Sequence, residues 1–94
     1  MEQSITLNIP HDLSDEEWEK ISEVYRNMDG WIDGIDFPYW YGTESDDRYI
    51  SVSYEPSGLL FTGKVNDDLW VGWLTQICAK LSIALRREIH DATM

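Results

Sequence analysis

The chain has 94 residues, with 18 Asp and Glu against 7 Lys and Arg, a formal net charge of −11. That charge argues against nucleic acid, whose phosphates would be repelled, and against anionic lipid surfaces. With 43% hydrophobic residues the chain is too apolar for a disordered acidic tail, and its length suits one domain, 1–94, with a modest core.

No apolar run approaches the roughly 18–20 residues of a membrane span. Met1-Glu2-Gln3-Ser4 lacks the basic start of a secretory signal. The single cysteine, Cys78, excludes an internal disulfide and a multi-cysteine zinc site. It suits a reducing cytoplasm, where we expect the protein.

Ser4–Ile9 alternates, with Ile5, Leu7 and Ile9 on one face, and reads as a strand that Pro10 ends. A helix follows. Ser14 as N-cap with Glu17 three residues later forms a capping box, and Leu13 and Trp18 stand at staple positions. Asp15 and Glu16 favour the positive end of the helix dipole. Trp18, Ile21, Tyr25 and Met28 make the apolar stripe, Val24 lies beside it, and Asp15, Glu16, Glu19 and Glu23 fall opposite. Gly30 is the expected left-handed residue after the helix.

Trp31–Asp36 reads as a loop. Phe37-Pro38-Tyr39-Trp40-Tyr41 is β-prone, with a proline suited to a strand start or an edge. Tyr49–Tyr54 alternates, Glu55-Pro56-Ser57-Gly58 has turn chemistry, and Leu59–Lys64 returns. Pairing Tyr54 with Leu59 pairs Val52 with Phe61. Ile50, Val52, Tyr54, Leu59 and Phe61 then share a face, with Ser51, Ser53, Leu60 and Thr62 on the other.

A long helix is expected from about Asp67 to about Ile89, capped by Asn66, with Arg86 and Arg87 in its last turns. Its apolar arc runs through Trp70, Val71, Trp73, Leu74, Ile77, Cys78, Leu81, Ala84 and Leu85. The order β-α-β-β-β-α predicts an α+β two-layer sandwich. Its sheet has four mostly antiparallel strands with both helices on one face. The outer face would carry Thr6, Asn8, Ser51, Ser53, Thr62 and some aromatics.

Little here points to catalysis. His11 and His90 each precede an aspartate, Asp12 and Asp91, but sequence neighbours share no face of a helix or strand. Cys78 falls between Leu74 and Leu81, where an apolar setting keeps a thiol inert. Asp29, Asp33 and Asp36 recur with glycines, but not at the spacing of a calcium loop. No phosphate loop, dinucleotide fingerprint or nucleophile elbow is present. We expect no enzyme, cofactor or metal.

The charge is lopsided. Residues 1–47 hold thirteen acids and two bases, Lys20 and Arg26, whereas residues 48–94 hold five of each. Asn27–Asp47 alone contains six acids, five aromatics and no base. Tyr and Trp anchor protein interfaces, and carboxylates around them steer a cationic partner. The plain alternative is that Trp31, Phe37 and Trp40 fill the small core while the acids decorate loops. Neighbours on a strand alternate, so either Tyr39 and Tyr41 or Phe37 and Trp40 should stand outside.

In size and acidity the chain resembles small bacterial immunity and antitoxin-like inhibitors of basic toxins. The resemblance is one of composition, covers no motif and carries no residue over. The expected function is a small acidic, non-enzymatic, inhibitor- or immunity-like domain that binds a basic protein partner, itself a monomer or weak homodimer. The expected contacts are Asp33, Asp36, Tyr39, Tyr41, Glu44, Asp46 and Asp47, with Glu16, Glu19 and Glu23 on the first helix. Two alternatives stand beside it. One is an enzyme or ligand binder with a pocket between sheet and long helix, lined by Trp70, Trp73 and Tyr54. The other is a homo-oligomeric scaffold pairing through Tyr49, Leu60 and the outer sheet face.

Overall fold

A computed structural model describes residues 2–10 and 12–92. His11, one of the two histidines considered above, lies outside the described residues. The elements are β1 (Gln3–Leu7), α1 (Asp15–Asn27), β2 (Tyr39–Trp40), β3 (Tyr49–Glu55), β4 (Gly58–Lys64) and α2 (Asp67–Leu85). They build the expected α+β sandwich, a four-stranded antiparallel sheet with strand order β1-β4-β3-β2.

The β3–β4 hairpin keeps the register read from its turn: Tyr54 pairs with Leu59 and Val52 with Phe61. β1 lies on the far side of β4, Ile5 against Phe61 and Leu7 against Leu59. Gly58 is required at that crossing. Its φ is +139° and a Cβ there would sit 2.0 Å from the Leu7 carbonyl oxygen. Between β1 and β2 the chain must travel from one edge of the sheet to the other, and α1 makes that crossing.

Both helices pack on one face. Phe61 and Trp40 point to the same side of the sheet. Tyr25 of α1 and Trp73 of α2 each meet both rings, at 6.3 and 5.3 Å for Tyr25 and 5.6 and 4.8 Å for Trp73. Ile21, Ile50, Leu59, Ile77 and Leu81 complete the buried centre.

The α1 capping box is formed. The Glu17 amide donates to Ser14 Oγ at 3.2 Å and the Ser14 amide to Glu17 Oε1 at 3.3 Å. The helix ends earlier than the glycine signal implied, with Met28 as an extended cap. Gly30 is two residues beyond it. Its φ of +88° serves a close approach instead, since a Cβ would lie 2.7 Å from the Tyr41 ring.

α2 is also shorter than expected, 19 residues ending at Leu85 rather than about Ile89. Arg86 takes a left-handed cap with φ 53°, so Arg86 and Arg87 follow the helix instead of ending it. Arg86 and Arg87 amides both donate to the Ser82 carbonyl, and the Ile89 amide to Ser82 Oγ at 3.1 Å. The turn brings Ile89 into the core and lays His90–Ala92 along β1, where the Ala92 amide donates to the Thr6 carbonyl at 2.7 Å. Covering an open strand edge outweighs another turn of helix. On the helix itself, Val71 departs from the expected arc and is 62% exposed.

Candidate functional site

Three successive aromatic residues take three directions. Trp40 points inward and is fully buried, and its Nε1–H donates to the Tyr25 carbonyl at 3.1 Å. Tyr39 turns to the opposite face of the sheet, its ring 6.3 Å from that of Tyr49. Burial and the neighbouring Glu44 carboxylate, which accepts its hydrogen bond, push the Tyr39 hydroxyl above the usual phenol range. Tyr41 leaves the strand with φ 69°. Its hydroxyl donates to Asp29 Oδ2 at 2.8 Å, and Arg48 stands 5.6 Å from its ring centre. Burial first, then Asp29, pushes the Tyr41 hydroxyl up to about 12.

Tyr39 and Tyr41 therefore do not form one patch. Tyr41 lines a hollow of about 410 Å³ with Asp29, Asp68, Gly72 and Gln76 beside α2. Tyr39 lines a larger cleft of about 690 Å³ with Trp18, Phe37, Glu44, Val52 and Tyr54. Phe37 is 72% exposed and Tyr54 46% exposed, and the Tyr54 ring meets that of Trp18 at 5.0 Å. Trp18 is the hinge of this surface, because it also borders a shallow hollow on α1 with Asp15, Glu19 and Arg26.

The carboxylates divide likewise. Glu44 is in the cleft, Glu19 is in the adjoining hollow, and exposed Asp36 immediately precedes Phe37. Two others are engaged within their own loops. Asp33 accepts from Trp31 Nε1 at 2.9 Å. Asp46 accepts from the Thr43 amide at 2.7 Å and the Thr43 hydroxyl at 3.3 Å, which holds the 43–46 turn. Glu16 lies 3.9 Å from Lys20, an exposed pair of little energetic consequence. Glu23 and Asp47 are exposed and outside the cleft lining. Glu16–Lys20 is the one salt bridge among the described residues, so most of the acidic charge stays uncompensated.

Trp18, Phe37 and Tyr54 were not among the expected contacts. Phe37 had a signal. The residue before a proline is driven to extended geometry, and Pro38 itself cannot continue a ladder, so Phe37 has no strand position from which to enter the core.

Of the residues expected to line a pocket between sheet and long helix, Trp73 borders the hollow beside α2 that Tyr41 lines. Trp70 and Trp73 are buried, and Trp70 lies so close to the sheet that a Cβ on Gly63 would be 2.2 Å from its ring. Tyr54 sits with Trp18 over α1 instead. Tyr49, expected on an exposed outer face, is buried and donates its hydroxyl hydrogen to Glu2 Oε2 at 3.0 Å. That hydrogen bond and burial push its own ionisation upward. Cys78 is half-buried, and burial pushes its thiol up. His90 is tied to Asn8: its backbone amide donates to Asn8 Oδ1 at 2.7 Å. Asn8 Nδ2 also donates to the Glu88 carbonyl, which joins the C-terminal segment to β1. No group of three His, Cys, Asp or Glu side chains converges to hold a metal among the described residues. No described helix is long and apolar enough to cross a membrane.

No protein-family model, curated protein or solved structure matches this chain, so its function must be argued from its own residues.

Proposed function

We propose that this protein is a small, acidic, non-enzymatic binding domain of the inhibitor or immunity kind, working in the cytoplasm. It engages a basic protein partner through the cleft between α1 and the β2–β3 edge. One observation carries this reading: an apolar cleft lies between α1, with five acids and two bases, and residues 29–47, with six acids and no base, which together carry −9 of the net charge of −11. Rings supply desolvated contact at the centre, and surrounding carboxylates steer the partner and set its register. Trp18, Phe37, Tyr39 and Tyr54 are the anchors. Glu19, Asp36 and Glu44 are the charges that face the partner. Asp33, Asp46 and Tyr41 hold the loop that presents them.

The test is affinity capture from native cell extract at low and high salt, comparing wild type with Glu19→Lys/Glu44→Lys. A basic protein should be retained at low salt, released at high salt and lost with the double variant. Capture indifferent to both salt and charge reversal would sink the reading. Reversal at Asp46 is a poor probe, because it also removes the hydrogen bonds of the 43–46 turn. A homodimer would respond in the opposite sense, since salt screens the mutual repulsion of two chains at −11.

A further inference from the structure

The cleft between α1 and β2–β3 holds two kinds of group that one ligand chemistry satisfies together. Trp18 of α1, Phe37 and Tyr39 wall it with rings, and Val52 and Leu59 add aliphatic surface. Among these rings stand Glu44, Ser51 and Ser53, each able to accept a hydrogen bond. Tyr39 donates to Glu44 and uses one acceptor position, which leaves the rest of the carboxylate. The Ser53 hydroxyl donates to Glu55 Oε1 at 2.6 Å, so its oxygen keeps lone pairs to offer. Among the described residues no lysine or arginine lines the cleft, and the one salt bridge is Glu16–Lys20 on α1. Glu44 is thus a carboxylate with no ion-pair partner among the described residues, set beside aromatic rings.

A carboxylate beside rings calls for a cation, and three biological cations differ in what they bring. A quaternary ammonium lies well against rings but has no N–H for Glu44, Ser51 or Ser53. A lysine ammonium has N–H groups but is compact and strongly hydrated, and ring walls strip water that it holds tightly. A guanidinium has both properties: a planar face that stacks on aromatic rings, and edge N–H donors that fit a carboxylate. The cleft, at about 690 Å³, also has room for the methylenes behind that group, with Val52 and Leu59 as their apolar bed. We propose, resting on the binding reading above, that the cleft receives one arginine side chain of the basic protein partner. Its guanidinium stacks against Trp18 and Phe37 and donates to Glu44, and the two serine hydroxyls take its remaining N–H groups.

The test uses end-blocked peptides Gly-Ser-X-Ser-Gly, with X arginine, citrulline, lysine or trimethyllysine. Each is titrated to about 10 mM into labelled full-length protein and followed by amide and indole NMR shifts. The arginine peptide should move Val52, Ser53 and the Trp18 indole. It should bind about tenfold tighter than citrulline, which keeps the shape and loses the charge, and about threefold tighter than lysine. Glu44→Gln should remove most of the advantage over citrulline, and Phe37→Ala should bring arginine level with lysine. Unchanged resonances for buried Ile77 and Trp40 certify folding of each variant. Three results would overturn the guanidinium inference and leave the basic-partner reading intact: lysine or trimethyllysine binding as tightly as arginine, arginine affinity indifferent to Glu44→Gln, or shifts centred on the Asp29–Tyr41–Gln76 hollow. Citrulline binding as tightly as arginine would overturn both, since charge would then count for nothing in the cleft. No shift with the arginine peptide would overturn the guanidinium inference, and salt-dependent capture then judges the wider reading on its own.

Discussion

Trp40 and Phe37 stand three residues apart in one aromatic run and have opposite environments. Trp40 is on a strand, pairs with Ile50 and is surrounded by Tyr25, Trp31, Phe61 and Trp73. Its one polar atom is satisfied by the Tyr25 carbonyl. Phe37 is forced off the ladder by Pro38 and stands at a cleft rim. Hydrophobicity does not separate the two residues. Backbone hydrogen bonding does, because a side chain reaches the core only from an element that can be placed beside it. Aromatic content alone therefore divides into a part that makes the fold and a part left available for contact.

This contrast can be broken most directly by truncation. Trp40→Ala should cost roughly 3–5 kcal/mol of stability, whereas Phe37→Ala should change it by less than about 0.5 kcal/mol. Urea midpoints at constant slope measure both, and similar losses would remove the distinction between core and rim. Gly58→Ala should cost about 2 kcal/mol or more in the same assay, because its Cβ meets the Leu7 carbonyl at a φ that L residues avoid. A neutral result would mean that β1 and β4 can part without loss.

Smaller effects sharpen the picture. Ser14→Ala removes half the capping box and should cost about 1 kcal/mol, and with it should loosen α1 and the Trp18 wall. Hydrogen exchange at the first turn of α1 would report this. The mildest test is alkaline titration. The Tyr41 hydroxyl is held up to about 12 in the folded protein, against an ordinary value of 10.0. Above that ordinary value the unfolded chain sheds the proton that the folded chain keeps. Stability is thus full below pH ~10 and is lost as pH rises towards ~12. Tyr41→Phe should make the loss shallower without abolishing it, because Tyr25, Tyr39 and Tyr49 are raised in the same direction. An identical pH profile for Tyr41→Phe would show that Asp29 and burial do not hold that proton.

The carboxylates repeat the lesson at the surface. Asp46 and Glu44 are two residues apart, equally charged and both exposed. Asp46 closes a turn on Thr43, and Glu44 lines the cleft. Sequence grouped them as one acidic patch because composition counts charge without direction. It likewise joined Tyr39 to Tyr41 by strand alternation. The strand has only two residues, and the positive φ of Tyr41 turns it toward Asp29.

Local physics was legible in the residues. Alternation, the Pro-Gly turn and its register, the Ser14–Glu17 box and the Asn66 cap are short-range devices whose energetics involve a few neighbours. They were enough for the element order and the α+β class. The tertiary structure alone decided the strand order, the early end of α2 and the place of Trp18 at a cleft. Each depends on which distant backbone needs a partner: β1 pairs with β4 along one edge and with His90–Ala92 along the other, while Pro38 ends the β2–β3 pairing at Ser51. Long-range hydrogen-bond satisfaction is a property of the whole assembly, so no window of sequence contains it.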